Sequence, residues 1–497
     1  TIFMIGTSWK NQLFLDITGR NDWSSALVYS YGTGNFSYFY PSVSGSWIIT
    51  ETFKDKLPKW VSFAKVRGSW AQVGNDTSPY YINSGYSVAT YQRGDKKIYG
   101  MTIPENMKST NLKPERKNAW EVGLDWRFFD SRIGVDLTYY KENTRNQIMT
   151  INVPWESGVK EKLINAGNIQ NSGIEIALNT TPIKKKQWQW DLNFTYTRNR
   201  NKIVELSPDV TSYINLDGAA NYGNYRIASV AKVGSDYGML MSDSWIKTDE
   251  KTGKPVVGYT NKFRTVYYKR GGTVKEVGSM LPNFLGSLNS TLRWKDLSLY
   301  VLFDARFGGY VASYNSRYAT AYGFSGETEK YRKGMTWTSK YANAQDKVFT
   351  DGFIPDVVFD AGTIVTTPGG TNQDVSGMTY QEAYEKGYVE PAHLQSAAYF
   401  KNSWGTGVIN DDWFKKINYI ALREITLSYN VPTKICSYIG AKNLSLSFTG
   451  RNLAYLLNTA PNHENPESVR GTGAAQFRMR SFMPYTASYL FTLNATF

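Results

Sequence analysis

Tyr485-Thr-Ala-Ser-Tyr489-Leu-Phe491-Thr-Leu493-Asn-Ala495-Thr-Phe497 closes the chain. Every second residue from Tyr485 is apolar, and those between are Thr, Ser and Asn with only Leu490 out of place. This is the period-2 pattern of a strand with one apolar and one polar face. A soluble domain seldom runs so aromatic a strand to its final carboxylate, whereas an outer-membrane β-barrel ends this way to close its last strand. The chain is therefore read as all-β, an antiparallel transmembrane barrel, and every other segment is tested against that reading.

Composition agrees. Aromatics make up 15% of the 497 residues, with 36 Tyr and 15 Trp, yet no apolar run approaches the roughly 18 residues of a spanning helix. In barrels, lipid-facing residues are diluted one for one by lumen-facing polar ones, so a mean hydropathy of -0.43 does not argue for solubility. The formal charge of +14 is scattered, with Lys184-Lys185-Lys186 as the longest basic run. Scattered charge fits a solvated or lipopolysaccharide-facing surface better than a nucleic-acid site. Cys436 is the only cysteine, and His393 and His463 are the only histidines. That leaves no disulfide framework and disfavours a thiol or histidine metal centre.

Three hairpins stand out. In the first, Trp120, Val122, Leu124, Trp126 and Phe128 alternate with polar residues, turn at Asp130-Ser131, and return as Ile133, Val135, Leu137 and Tyr139. The second runs Ile174, Ile176 and Leu178, turns through Pro182 to Lys186, and returns from Trp188 to Tyr196. The third joins Leu288, Leu292 and Trp294 to Leu297, Leu299, Val301 and Phe303 through Lys295-Asp296; Tyr300 and Leu302 break its alternation. Weaker strands at Leu13–Arg20, Phe36–Thr50, Phe63–Val73, Ile417–Val431, Leu444–Asn452 and the terminus bring the count to about twelve.

Between the short turns lie long excursions, residues 74–118, 141–172, 199–283, 307–414 and 453–485. Such loops are uncommon in compact domains, and a β-sandwich would join its strands by far shorter ones. Short periplasmic turns and long extracellular loops are the asymmetry of a transmembrane barrel, which directs the terminal strand downward and puts Phe497 on the periplasmic side. Aromatics gather at strand ends, where amphipathic rings favour the membrane–water boundary.

Several segments then resemble the C-terminal barrel of SusC/RagA-type TonB-dependent transporters of the Bacteroidota outer membrane. They are Tyr40–Trp47, Phe63–Asp76 with its Arg67-Gly-Ser-Trp70, Asn111-Leu-Lys-Pro-Glu115, Asn165-Ala-Gly-Asn168 through Glu175, and Leu281-Pro-Asn-Phe284. To these add Leu422–Pro432, Thr449-Gly-Arg451-Asn452 and Asn465-Pro-Glu467. Each is weak alone; their order and spacing carry the resemblance. It implies a larger barrel of about 22 strands, a SusD-like lipoprotein lid, energy from the TonB complex, oligosaccharide or peptide cargo, no covalent chemistry and no cofactor. It also implies that Phe497 signals to the barrel-assembly machinery. The family's N-terminal extension, TonB box and plug have no match here, and Thr1–Gly6 reads as the inside of a strand. The expectation is the C-terminal part, residues 1–497, of a longer or cleaved protein. Where many relatives carry an acidic, calcium-like loop, Tyr259–Gly272 is basic, so no calcium is expected there.

Other constellations are weaker. Asp411 and Asp412 point to opposite strand faces and do not converge as an acid–base pair. His463-Glu464-Asn-Pro-Glu467 holds metal-ligand types without a second histidine, and neither histidine neighbours a serine nucleophile motif. The sequence thus predicts no catalytic, cofactor or metal residues. Asn168–Gly173 reads as a turn returning a loop to a strand. Loop aromatics, Tyr80, Tyr81, Tyr86, Tyr91, Tyr222, Tyr225, Tyr314, Tyr318, Tyr322 and Trp404, are the candidate contacts to sugar rings or peptide side chains. Import of oligomeric nutrients, most of all glycans, is the expected function; peptide import, or a binding or adhesion barrel without transport, is the alternative.

Overall fold

A computed structural model describes residues 1–54, 56–83, 85–110, 112–153, 155–165, 167–207, 213–216, 227–262, 264–321, 324, 334–342, 344–393, 414–470, 477–479 and 484–497. Thirteen long strands form one uninterrupted antiparallel wall in which each pairs with its neighbours in sequence. They are β1 (Ile2–Trp9), β2 (Leu13–Trp23), β3 (Ser37–Ile48), β4 (Val61–Asn75), β5 (Glu115–Phe128), β6 (Ile133–Arg145) and β7 (Asn168–Lys184). The wall continues through β8 (Trp188–Glu205), β9 (Phe284–Trp294), β10 (Leu297–Ser313), β11 (Phe414–Asn430), β12 (Asn443–Asn458) and β13 (Ser488–Thr496). Among the described residues β1 and β13 pair on one side only. No helix among the described residues is long and apolar enough to cross a membrane; the strands cross instead.

Register sorts the faces. Val122, Tyr139 and Ile174 lie level with one another, as do Phe194, Leu288 and Phe303, and then Leu427, Phe448 and Phe491. The opposite face is a run of hydroxyls and amides joined across strands: Thr18 with Ser42 at 2.5 Å, Asn193 with Asn289 at 2.8 Å, Thr426 with Thr449 at 2.8 Å, and Ser428 with Ser447 at 2.8 Å. A wall with one apolar and one hydrogen-bonded polar face belongs between lipid and an aqueous lumen. Tyr300 and Leu302 sit opposite Thr291 and Asn289, on the inner face. Leu490 sits opposite Thr449, also inside.

Two aromatic tiers bound the outer face. Trp188 and Trp294 stack at 5.6 Å near the short turns, with Trp60 and Phe128 at 5.5 Å. Trp120 and Tyr139 meet at 5.5 Å near the long loops, with Tyr196 and Phe284 at 5.4 Å. From Trp188 to Tyr196, a strand rising about 3.4 Å per residue and tilted about 40° climbs roughly 20 Å along the membrane normal, close to the height of an apolar barrel band.

The opening segment, read from the sequence as the inside of a strand, is β1 and makes the thirteenth of the wall; its Ile2-Phe-Met-Ile run does not alternate. Strands also run further into the loop side than their apolar alternation reaches, β8 to Glu205 and β10 to Ser313. Asn168–Gly173 is the start of β7 and not a turn: it pairs with both β6 and β8, and Asn171 Oδ1 accepts from Asn201 Nδ2 at 2.8 Å. Its turn-like composition is satisfied by an asparagine ladder. Pro182 falls in a register shift between Thr180 and Ile183, where a missing N–H costs the ladder nothing. Pro432 caps a short helix, Thr433–Tyr438, in the β11–β12 turn.

Candidate functional site

The long connections fold over the upper end of the wall as packed structure. The connection after β8 and the one after β10 interlock: the hairpin Val256–Thr260/Thr265–Tyr268 takes Val358–Phe359 as a parallel third strand. Val257, Val266, Phe359, Val365 and Tyr380 form its core, and a helix, Tyr380–Glu385, starts at a Thr379/Glu382 capping box. At roughly 1.5–3 kcal/mol per large apolar side chain, this lobe has a core of its own. Two cations of the basic stretch Tyr259–Gly272 are engaged within it: Arg264 lies 3.9 Å over the Tyr341 ring, and Lys269, with Lys247, reaches Asp360. Burial alone would raise the Asp360 carboxyl; hydrogen bonds and charge from the two lysines outweigh it and hold it below the usual carboxylate range.

A second cluster knits the connections after β2, β4 and β6 around Leu27, Tyr29, Ile82, Leu112 and Leu163. The Tyr29 hydroxyl donates to the Ser109 carbonyl at 2.7 Å and accepts from the Leu112 N–H at 2.9 Å. Asn165 closes the same region: its Nδ2 donates to the carbonyls of Asn146 and Lys113 at 2.7 and 2.8 Å, and its Oδ1 accepts from the Lys113 N–H at 2.8 Å. Two motifs read from the sequence thus meet in one loop clasp, through Leu112 and Lys113 of the first and Asn165 of the second.

On the inner wall, Arg67 of β4 donates two bonds of 3.0 Å to Asp136 of β6 and one of 2.6 Å to Thr138. To get there it crosses the intervening β5, and Gly123 is the notch that lets it pass: a Cβ there would lie 2.6 Å from Arg67 Cζ. Beside it is a recess of about 300 Å³ lined by Asp16, Ser44, Ser46, Lys65, Arg67 and Glu121. At the other end of the wall, Arg423 of β11 binds Asp304 of β10 and Glu467 of the β12–β13 connection, both at 2.7 Å. Tyr455 donates to the same Glu467 at 2.9 Å and packs on Tyr485 at 4.7 Å. Glu464 accepts from the Ser313 hydroxyl at 2.9 Å, and burial pushes its carboxyl up. The two glutamates of the His463–Glu467 stretch are therefore committed to different partners.

Of the predicted contact residues, Tyr80 is 84% exposed at a loop tip, whereas Tyr314 is 3% exposed, packed among Leu240, Met280, Phe414 and Phe477. Tyr86 and Tyr91 are exposed, and Tyr81 carries Lys108 over its ring at 4.1 Å. Tyr222, Tyr225, Tyr322, Trp404, Asp411 and Asp412, and the side chains of Tyr318 and His393, lie outside the described residues. The inner-wall residues Arg67, Asp136 and Arg423 were not among the predicted contacts; isolated charges inside strands are the signal that marks them.

Residues 7–260, just over half of the chain, match the family model described as TonB dependent receptor-like, beta-barrel. TonB-dependent receptor P26 of Formosa agariphila is 24% identical over 90% of this chain and 40% of its own length. TonB-dependent receptor SusC of Bacteroides thetaiotaomicron is 28% identical over 50% of this chain and 25% of its own. The structure of the RagAB peptide transporter superposes on 100% of this chain and 47% of its own with a TM-score of 0.67 at 18% identity, which is a likeness of fold. The chain spans less than half the length of these relatives. With a thirteen-stranded wall, two aromatic tiers and loops gathered at one end, the chain belongs to the TonB-dependent receptor β-barrel family, whose members are outer-membrane transporters and receptors and not enzymes.

Proposed function

We propose that this chain is the C-terminal barrel portion of a TonB-dependent importer of oligomeric nutrients, glycans before peptides. A SusD-like lipoprotein sits on its loop lobe, and energy comes from the inner-membrane TonB complex through a part outside these residues. The observation that carries the reading is the combination of a hydrogen-bonded polar inner wall with loops folded into a lobe at its mouth. A passage for a hydrophilic oligomer needs the first, and capture at the cell surface needs the second. Tyr80 and its exposed neighbours supply stacking faces for sugar rings, with Asn and Asp side chains as hydrogen-bond partners. The lean to glycans rests on the SusC/RagA-type resemblance of the sequence; the fold likeness to the RagAB peptide transporter keeps peptide as the alternative cargo.

Mass spectrometry of ligands that copurify with the native complex tests the cargo: oligosaccharides are expected, and peptides alone would replace glycan with peptide as cargo. A gene that encodes no plug or TonB box ahead of Thr1 would overturn import and leave a binding or adhesion barrel.

A further inference from the structure

Six cations that are far apart in sequence gather on one outer face of the wall. By strand alternation Arg116 shares the outer side of β5 with Trp120, Lys141 and Arg145 that of β6 with Tyr139, and Arg198, Arg200 and Lys202 that of β8 with Tyr196. All six stand directly above the upper aromatic tier. Arg198 is one outward step above Tyr196, and Arg200 and Lys202 are the next two; each step adds about 5 Å of height at ordinary strand rise and tilt. Register places Ser172 of β7 between Lys141 and Arg200. Two cations thus flank one small hydroxyl across about 10 Å, two strand spacings.

None of the six has an ion-pair partner among the described residues. The neighbouring acids are turned to the lumen: Glu142 holds Lys117 there, and Glu175 lies on the inner side of β7. The outer face of β4 rises from Trp70 into uncharged Gln72 and Gly74 instead, so the charge is confined to adjacent strands. Tyr196, Arg198, Arg200, Lys202 and Ser172 also line a cavity of about 820 Å³, floored by Phe284 and containing a single acid, Asp236.

We propose that this face binds the phosphorylated headgroup of outer-leaflet lipopolysaccharide. Its phosphate sits among Lys141, Ser172, Arg198 and Arg200, and its acyl chains run down over Tyr196, Phe284 and Ile174. Arginine offers planar, charge-assisted donors matched to phosphate, and unpaired cations at the headgroup level attract anionic lipid. The aromatic tier immediately below is what separates an amphiphile from a free anion. The inference rests on the outer-membrane location of the chain and not on the cargo proposed above.

The test uses the full-length receptor in nanodiscs, titrated with purified lipopolysaccharide, with the same lipopolysaccharide after dephosphorylation, and with inorganic phosphate as competitor. Wild type is expected to prefer the phosphorylated form, and the triple variant Lys141→Gln/Arg198→Gln/Arg200→Gln to bind it about tenfold or more weakly, as loss of several charge-assisted contacts implies. Lys186→Gln at a periplasmic turn is expected to bind as wild type does. Equal binding of the two lipopolysaccharide forms by wild type overturns the proposal, whatever the folding of the variant. So does competition by millimolar inorganic phosphate that abolishes lipid binding, which would mark a plain oxyanion site. Undiminished binding by a folded triple variant overturns it as well.

Discussion

At the residue scale, single polar side chains decide geometry that backbone pairing leaves loose. Gly123 is glycine because Arg67 must cross its strand to reach Asp136. Gly123→Val is expected to displace the guanidinium and lower the urea midpoint of the folded barrel by the equivalent of about 1 kcal/mol, a modest figure because the pair is partly solvated. Asn165 holds three backbone groups of the loop clasp. Asn165→Ala is expected to speed amide exchange at Leu112, Lys113 and Ile148 while leaving the β7–β8 ladder unchanged, at a local cost of about 1–3 kcal/mol. Asp360 supplies a pH dependence with a fixed sign. Its carboxyl is held below the unfolded value of about 3.9, so its bridge to Lys247 and Lys269 stabilises the lobe fully above that value and is lost as pH falls through the folded one. Protection factors across Val256–Thr260 should drop in that acidic window, and Asp360→Asn should remove the drop.

At the element scale, the long connections behave as parts of the wall. Arg423 ties β11 and β10 to the β12–β13 connection through Glu467. Arg423→Ala removes the cation shared by the Asp304 and Glu467 carboxylates, and limited proteolysis between Asn458 and Val469 is expected to accelerate while the strands stay protected. Among the described residues the terminal strand pairs only with β12, and beyond it Lys442 Nζ donates to a main-chain oxygen of Phe497 at 3.1 Å. If Phe497 is the assembly signal proposed for it, its deletion should lower the inserted fraction without altering cargo preference; normal insertion counts against the role. How much of an element is legible depends on its surroundings. β8 announces itself from Trp188 to Tyr196, where lipid demands an apolar residue at every second position. Above Tyr196 the same strand is wetted on its outer face, so Asn199 to Glu205 reads as loop. Asn168–Gly173 fails similarly, because asparagines that cap turns in one setting form a cross-strand ladder in another.

At the scale of the whole molecule, the thirteen strands leave two edges, on β1 and β13, that pair with nothing further among the described residues, and lipid does not tolerate an open edge. Under the proposal that further strands close the barrel, the 497-residue chain alone should fail to give a heat-modifiable monomer in detergent, and supplying the remaining part should restore one. The amino-acid sequence by itself determined the β class, the alternation of lipid and lumen faces, the direction of the terminal strand and the family, because a bilayer imposes a local, period-2 demand that any strand must display. It did not determine which distant residues meet. Arg67 with Asp136, the interlocked lobe of Val257 and Phe359, and the six outer cations from Arg116 to Lys202 are brought together by strand register and loop packing. Register depends on every strand between two residues, and so only the tertiary structure decides it.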